Sequence, residues 1–274
     1  MSKLALCFLV TRNLENLEVW EEWIKGHEDK VKIYAHYDKK GVTHKILTRN
    51  KIKKTVRTKW GNLSLVKAER NLYEEALKHK SNKYFILLSE SCIPVRSFSY
   101  IYNRLMKDSK GIMSYHKWDP YDHQDNDLTP FKSRNACKRM MRDFGFFDGN
   151  LYTSDQWKIL GRKNAQDFMK MFKNHEYIDL FKAFCIEVVP DSVAPDELMF
   201  INYLKWKYGN ISSQVRQGVV TFVDFNENSA IHAKKYKTLS KNLQDWICDI
   251  NAMFARKFIG ANPRNLKRKL PLIC

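Results

Sequence analysis

The sequence lacks the motifs that mark several large enzyme classes. It contains no G-x-x-x-x-G-K-[ST] loop, no G-x-G-x-x-G fingerprint and no G-x-S-x-G turn. These absences argue against a P-loop ATPase, a dinucleotide-binding dehydrogenase and a hydrolase with a nucleophile elbow. The sequence also shows no internal repeat and no low-complexity linker, so its 274 residues predict one domain over 1–274.

Long apolar runs are missing as well. No stretch reaches the roughly 18–20 apolar residues that a helix needs to cross a bilayer. The N-terminal apolar run covers only residues 4–10 and carries no small-residue cleavage site, which predicts a buried strand and not a signal peptide. We expect a protein that is neither secreted nor anchored by a membrane span.

Cysteine is present, but in no pattern typical of a metal site or a disulfide scaffold. The six cysteines form no C-x-x-C pair and no Cys/His cluster with zinc-ligand spacing. Cys7, Cys92 and Cys185 lie within apolar runs, which predicts buried thiols. We therefore expect no disulfide framework and a reducing, cytoplasmic compartment.

Acidic residues are in the minority, because 30 Asp and Glu stand against 48 Lys and Arg, for a formal net charge of +18. A positive surface of this size attracts nucleic acid, an anionic membrane face or a phosphorylated small substrate. Lysines that only cover a solvated surface would give the same count. The basic residues are interleaved with acidic ones and no nucleic-acid motif is present, which argues against a nucleic-acid-binding module, although that alternative stays open.

Apolar periodicity predicts an α/β fold. Continuous apolar runs at 4–11, 31–37 and 84–88 predict buried strands, and they alternate with amphipathic helices predicted at 17–27, 64–78 and 98–106. Such alternation indicates a mainly parallel central sheet with helices on both faces. The segment 114–154 is aromatic, charged and aperiodic. Beyond it we predict helices at 165–172, 195–207 and 243–258, strands at 185–189 and 219–225, and a peripheral basic tail after Gly260.

Ligands of parallel sheets bind beyond the carboxyl ends of the strands. Asp38 follows the second predicted strand, and Ser89 and Glu90 follow the third. The segments after Val189 and Phe225 follow two later strands. We expect these four segments to converge on one cleft.

A pair of carboxylates begins one of the predicted helices. Pro195 suits the first helical position, and Asp196 and Glu197 then lie in the first turn, where the helix dipole favours negative charge. A carboxylate at the rim of a cleft can act as a general base. Ordinary helix-start chemistry explains the same residues, so both interpretations stay open at this point.

Cations gather near the C-terminus, and they are His232, Lys234, Lys235, Lys237, Arg256 and Lys257. Lys and Arg can stabilise a departing diphosphate in place of a metal ion. A solvated charge run is the alternative. The one Asp-x-Asp spacing, at Asp125 and Asp127, follows no apolar strand, so we interpret it as an acidic loop and treat a Mg²⁺ or Mn²⁺ site there as the alternative.

Eight segments, taken in order, resemble the core-2/I-branching glycosyltransferase family (glycosyltransferase family 14 and its plant and microbial relatives). The segment Leu87–Pro94, which reads LLSESCIP, is the most distinctive of them. The other similar segments are 8–11 with Trp20 and 26–28, 33–38, 60–61 with 68–70, 154–157 with Arg162 and Ala165, 195–197, 221–225 and 254–258.

The resemblance implies a GT-A-like nucleotide-diphosphate-sugar transferase that inverts the anomeric carbon without a metal or another cofactor. It implies UDP-N-acetylglucosamine or UDP-xylose as the donor and a glycan or glycoprotein as the acceptor. Residues 1–110 would form the nucleotide-binding half, and residues 111–274 the acceptor-binding and catalytic half. The residues carried over by position are Glu197 as general base, Thr11, Asp38, Phe225, Lys234, Lys235, Arg256 and Lys257 for the donor, and Ser89, Glu90, Asp155, Trp157 and Asp196 for the sugars.

The sequence departs from the family pattern at two positions. Phe225 stands where the family commonly has Trp, and the spacing from Phe225 to Lys234 and Lys235 is shorter than in the animal enzymes. The family's usual membrane anchor, stem and disulfide-forming cysteines are also missing, which favours a microbial or viral enzyme of the cytoplasm, in the host cytoplasm if viral. A catalytically inactive, glycan-binding relative is a third possibility.

Overall fold

The computed structural model describes residues 2–118, 151–187, 194–225 and 233–272, without the side chains of Trp118 and residues 183–187. The strands are β1 (Lys3–Leu9), β2 (Val31–His36), β3 (Asn82–Leu88), β4 (Ile93–Pro94), β5 (Gly111–Met113), β6 (Tyr115–Trp118), β7 (Leu151–Ser154), β8 (Ile159–Gly161), β9 (Val215–Gln217), β10 (Thr221–Val223) and β11 (Phe254–Arg256). The helices are α1 (Leu17–Ile24), α2 (Lys45–Thr48), α3 (Leu63–Leu77), α4 (Phe98–Met106), α5 (Arg162–Met171), α6 (His175–Glu187), α7 (Pro195–Tyr208), α8 (Lys241–Asp249) and α9 (Pro263–Lys269).

The main sheet has six strands in the order β2-β1-β3-β8-β5-β9. Strands β2, β1 and β3 pair in parallel, as do β5 and β9. Strand β8 runs antiparallel to both of its neighbours. Five strands therefore share one direction, and the predicted mainly parallel α/β sheet is confirmed.

Alternate residues of the central strand β1 face opposite cores. Ala5 and Cys7 belong to the core that contains residues of α3, α5 and α7. Leu6 and Phe8 belong to the core that contains residues of α1 and α4. Because successive side chains of a strand point to opposite faces, helices must cover both sides of the sheet. The continuous apolar run of β1 in the sequence reflects this double burial.

A smaller sheet lies beside the main one and carries the cationic segment near the C-terminus. Its order is β10-β11-β4, with β10 parallel and β4 antiparallel to β11. A third core packs under it, including Phe222, Ile247 and Phe258. A two-stranded antiparallel ribbon, β6-β7, pairs Tyr115 with Ser154 and so brings the end of β7 next to Ser114.

Local sequence signals fix the best-predicted helix, α3. Asn62 accepts a hydrogen bond from the Ser64 backbone N–H at 3.0 Å, so Asn62 is the N-cap. Val66, Leu72 and Ala76 then lie on the buried face at helical spacing. The sequence predicts this helix over residues 64–78, and the structure confirms it at Leu63–Leu77.

Two predictions of secondary structure and one of packing were wrong. Cys185 belongs to helix α6 and not to a strand, since α6 continues to Glu187. The predicted long helix at 243–258 ends at Asp249, and residues 254–256 form strand β11 in the smaller sheet. The tail after Gly260 is not peripheral, because α9 packs on α1 and buries Leu266.

We expected no disulfide framework, and the structure shows one disulfide-bonded cysteine, Cys248. Cys7 and Cys92 are free and buried, as predicted. The location of the protein stays a prediction. In the described ranges, no helix combines the length and the apolar character that a bilayer span requires.

Candidate active site

Two adjoining cavities open where strands β1, β3 and β11 end. The larger, of about 610 Å³, contains Asp155, Asp196 and Glu197, and we call it the carboxylate cavity. The smaller, of about 440 Å³, contains Arg12 and Lys235, and we call it the cationic cavity. Arg256, Lys257 and Ala233 line both cavities. A carboxylate cluster and a cation cluster thus share one wall.

Helix α7 carries the main carboxylate into the larger cavity. Pro195 occupies the first turn, and Asp196 and Glu197 follow it as the sequence predicts. Asp155 enters from the loop after β7, where its backbone N–H donates to the Ser114 carbonyl at 3.0 Å. The structure therefore brings together three carboxyl groups from two distant parts of the chain.

The Glu197 carboxyl holds its proton more tightly than an ordinary glutamic acid. Burial, together with the negative charges of Asp196 and Asp155, raises its pKa to about 7, and the positive charge of Lys158 opposes this rise. Burial also raises the pKa of Asp155 and of Asp196. A carboxylate with a pKa near the working pH can take up a proton and release it again, which is what general-base catalysis requires.

Among the described residues, four basic side chains and one acid, Glu90, line the cationic cavity. Burial lowers the pKa of Lys257, and so do the nearby charges of Arg256, Lys235 and Arg12, while Glu90 raises it. Cations held this close repel one another until an anion lies between them. The arrangement suits a ligand with more than one negative charge, such as a diphosphate.

The structure separates the two candidate lysines. Lys235 lines the cationic cavity. Lys234 instead has its ammonium nitrogen 3.8 Å from Asp224 Oδ2 and 5.3 Å from the centre of the Tyr236 ring. Of the two, Lys235 is the better placed for a phosphate. His232 and the segment after Val189 lie outside the described residues.

Besides Lys234, three predicted site residues within the described part of the chain line neither cavity. Ser89 is 4% exposed, and its hydroxyl contacts Ser91 Oγ and Cys92 Sγ at 3.2 Å each, so it stabilises its own turn. Its predicted contact with sugar is therefore not supported. Asp38 Oδ2 accepts from the Thr58 backbone N–H at 3.3 Å. Thr11 donates its hydroxyl to Glu90 Oε1 at 3.2 Å and so acts on the cationic cavity only through Glu90.

Aromatic rings border the carboxylate cavity. Trp60, Phe225 and Trp246 all line it, and their exposed fractions are 69%, 55% and 48%. Trp157 is buried beneath Arg256, whose guanidinium carbon lies 4.3 Å from the centre of the Trp157 ring. Large exposed rings at the mouth of a cavity are typical of a surface that binds the apolar faces of sugars. Trp157 thus packs against Arg256 and contributes to the same cavity.

Sequence reasoning missed Arg12, the pair of Lys158 and Glu69, and Trp246. Arg12 follows β1 directly, so the rule about strand ends could have found it. Nothing local marks Lys158 as buried, because its partner lies 89 positions away. In the described ranges, no group of three or more His, Cys, Asp and Glu side chains could hold a metal ion. Asp125 and Asp127 lie outside those ranges.

A family model described as "Branch: Core-2/I-Branching enzyme" matches residues 4–257 of the chain. The chain belongs to the core-2/I-branching enzyme family. The resemblance read from the eight sequence segments is thereby confirmed, and the chain is a member of a glycosyltransferase family. Membership agrees with the mainly parallel α/β sheet, and it supports the GT-A-like assignment.

One curated relative of this branching-enzyme family member is a rice protein. The rice (Oryza sativa subsp. japonica) protein "Glycosyltransferase BC10" is 25% identical over 194 residues, which are 67% of this chain. The chain spans 44% of the length of that curated relative. Among solved structures, the galactosyltransferase LgtC with donor and acceptor sugar analogs matches with a TM-score of 0.33 at 12% identity, over 79% of this chain and 75% of LgtC. An active-site mutant of LgtC matches with a TM-score of 0.38 at 12% identity, over 92% of this chain and 86% of the mutant.

The raised pKa of Glu197 predicts a pH-dependent cost to stability. Between its ordinary value of 4.5 and about 7, Glu197 is protonated in the folded protein and ionised in the unfolded chain. Ionisation therefore favours unfolding, and this cost grows as pH rises through that window. We expect Glu197→Gln to raise the free energy of unfolding at pH 8 by about 1–3 kcal/mol, and to have no such effect near pH 4. Urea denaturation at several pH values measures both, and equal gains at pH 4 and pH 8 would contradict the assignment.

Proposed function

We propose that this family member transfers a sugar from a UDP-sugar to a hydroxyl of a glycan acceptor, with inversion at the anomeric carbon and without a metal ion. The observation that carries the proposal is the shared wall between the two cavities. Glu197, whose pKa is raised to about 7, lines the same cavity as Arg256 and Lys257. A general base and a stabiliser of a departing diphosphate are the two groups that this reaction needs.

The reaction divides between the two cavities. Glu197 accepts the proton of the acceptor hydroxyl as its oxygen forms a bond to the anomeric carbon of the donor. On the opposite face of that carbon, the bond to the diphosphate oxygen breaks, and the electron pair leaves with UDP. Lys257, Arg256, Lys235 and Arg12 stabilise the charge that develops there, since Lys and Arg bind phosphate oxygens with charge-assisted hydrogen bonds. Family resemblance favours N-acetylglucosamine or xylose as the transferred sugar.

The acceptor fits the carboxylate cavity. Asp155 lines it with Glu197, and the exposed rings of Trp60, Phe225 and Trp246 border it. Sugars present apolar C–H faces to aromatic rings and hydroxyls to carboxylates, so this combination suits a glycan. The proposed contact of Asp38 with the uridine has less support. Asp38 lines neither cavity, and its carboxylate accepts a hydrogen bond from the Thr58 backbone N–H.

A thermal-shift panel of UDP and UDP-sugars, followed by assays of released UDP, tests the proposal. A ligand at a hundredfold excess over its Kd stabilises the folded protein by about 2.7 kcal/mol. We expect a shift with UDP and with one UDP-sugar, and release of UDP only when a glycan acceptor is added. Glycan binding without a shift from any nucleotide would instead identify an inactive, glycan-binding relative. Tight binding to oligonucleotides that falls steeply with salt would support the nucleic-acid alternative.

Removal of metal ions distinguishes a diphosphate stabilised by Lys and Arg side chains from one stabilised by a bound metal ion. Because four cations surround the proposed phosphate site, we expect transfer to retain most of its rate in excess EDTA. The measurement is the rate of UDP release after extensive dialysis against EDTA, with added Mg²⁺ or Mn²⁺ as the comparison. Loss of activity that Mn²⁺ restores would contradict the metal-free reaction and would direct attention to Asp125 and Asp127.

A further inference from the structure

A lysine is fully buried directly behind the proposed base. Lys158 precedes β8, and its side chain is 1% exposed. Its ammonium nitrogen lies 3.1 Å from Oε2 and 3.4 Å from Oε1 of Glu69, whose side chain is 0% exposed on α3. The same nitrogen donates to the Asp196 carbonyl at 3.2 Å. One buried cation therefore joins the sheet, α3 and the first turn of α7.

The contacts of Lys158 belong to a set that fixes the start of α7. Ser154 donates its hydroxyl to the Glu197 carbonyl at 3.1 Å. Asn202, one turn further along α7, accepts from the Tyr152 backbone N–H at 2.9 Å and donates to the Tyr152 carbonyl at 2.7 Å. Lys158 adds its hydrogen bond to the carbonyl of Asp196, the residue before Glu197. The segment from Tyr152 to Lys158 thus holds the backbone of the proposed base on both sides.

Stability alone does not account for a buried ion pair of this kind. Removing a lysine and a glutamate from water costs more than burying two apolar side chains of similar size, and replacing such pairs is often neutral or stabilising. The carboxyl of Glu69 shows the cost, because burial raises its pKa to about 7 despite the nearby Lys158. An arrangement this unfavourable suggests a role in the adjacent cavity.

We propose that Lys158 and Glu69 form a buried positioning pair for Glu197, in which Glu69 holds Lys158 in place and Lys158 orients the first turn of α7 and favours the ionised form of the base. The proposal rests on the proposed function for the role of Glu197 itself. Lys158 is a buried cation whose charge opposes the effect of two neighbouring acids on the Glu197 carboxylate. Without it, the base would keep its proton to higher pH and act on a smaller fraction of enzyme molecules at neutral pH.

The charged groups around Glu197 come from several elements. Asp196 lies beside it on α7, Asp155 follows β7, and Lys158 precedes β8. Arg256 and Lys257, from the end of β11, line the same cavity. Among them, the charge of Lys158 lowers the pKa of Glu197, and the charges of Asp196 and Asp155 raise it. Removing Lys158 therefore leaves no opposing charge from this position, and the pKa of Glu197 should rise.

The test measures the pH dependence of turnover in Lys158→Met. We expect the acid limb of the kcat profile to move up by about one pH unit or more, since an opposite charge nearby is worth at least that much. The KM for the donor should stay within about twofold, because the phosphate-binding cations are untouched. At pH 9 the variant should recover most of the wild-type rate.

Two further variants keep the test decisive. Lys158→Met leaves Glu69 buried without a partner, so the single variant could fail to fold. The double variant Lys158→Met with Glu69→Leu removes both charges at similar volume, should fold, and should show the same displaced limb. Lys207→Met is the matched control, because Lys207 pairs with the buried Asp167 at 2.7 Å and both lie outside the two cavities. Its profile should overlay that of the wild type.

A readout without turnover separates this proposal from the proposed function. In protein labelled with ¹³C at the glutamate side-chain carboxyl, the resonance missing from Glu197→Gln belongs to Glu197, and its midpoint can be followed by pH titration. A midpoint that moves up in both Lys158 variants, but not in Lys207→Met, supports the pair whether or not transfer is detected. An unmoved midpoint in a folded variant, or a uniform loss of kcat at every pH, overturns it. A shifted midpoint in a protein that transfers no sugar would contradict only the proposed function.

Discussion

Replacement of Glu197 by glutamine is expected to lower kcat about 1,000- to 10,000-fold, at the upper end of what general-base catalysis contributes. Glutamine has nearly the same shape as the protonated glutamic acid but cannot accept a proton from an acceptor hydroxyl. Glu197 lines the carboxylate cavity from the first turn of α7. The substitution should therefore remove the chemistry and leave the cavity as it is. The Kd for UDP should stay within about twofold, because Arg12 and Lys235 lie in the other cavity.

The measurement is a single-turnover assay with a labelled donor, supported by UDP titration of the same preparation. Glu75→Gln is the matched control, since Glu75 makes an exposed ion pair with Lys78 at 2.7 Å on the last turn of α3. That variant should transfer sugar at the wild-type rate. Full activity in Glu197→Gln would remove Glu197 from the mechanism and would leave Asp155 and Asp196, which line the same cavity, as alternative bases. Loss of UDP binding along with turnover would point to a structural defect.

The gain in stability expected for Glu197→Gln at pH 8 belongs to the same argument. A base must be partly desolvated to have a pKa near 7, and an ionised carboxylate in that place destabilises the fold. A variant that loses activity while it gains stability would show that the carboxylate is retained for chemistry. Helix-start preference alone predicts the opposite sign, because it makes Glu197 stabilising.

The fold could be predicted from sequence wherever local patterns decide it. The apolar runs of β1, β2 and β3 and the capped stripe of α3 need only neighbouring residues to be recognised. The errors lie where distant contacts decide. Residues 254–256 form a strand because β10 and β4 flank them, and nothing within the segment distinguishes it from the helix before it. Cys185 lies in an apolar stretch that suits either a strand or a buried helix.

The candidate site was predictable as a set of chemical groups but not as a geometry. Glu197, Arg256 and Lys257 were found from motif resemblance, and the structure places all three around one cavity. The choice between Lys234 and Lys235 needed the position of Asp224, which engages Lys234. The burial of Lys158 could not be read from its neighbours, because a lysine in sequence is assumed to be solvated until a buried partner is seen.

Replacement of Lys257 by methionine is expected to lower kcat about 100- to 1,000-fold, which is the usual cost of losing one group that stabilises a developing negative charge. Lys257 lines both cavities, so it lies between the reacting carbon and the diphosphate in the proposed complex. Methionine keeps the apolar stem of the lysine and removes only its charge. Arg256 is the less informative target, because its guanidinium also packs on Trp157 at 4.3 Å and its loss would disturb that ring.

The charge on Lys257 also accounts for part of the donor affinity. Free UDP carries the same diphosphate, so we expect its Kd to rise about tenfold in Lys257→Met, less than the fall in kcat, because charge on the leaving oxygen increases in the transition state. Lys241→Met is the control, since Lys241 is exposed and pairs with Asp245 at 2.6 Å. Equal losses in UDP affinity and in kcat/KM, with kcat unchanged, would mean that Lys257 binds the donor without assisting its departure. If the Kd for UDP and kcat both stay at wild-type values, the diphosphate must bind at a different site, and the proposal for the cationic cavity is wrong.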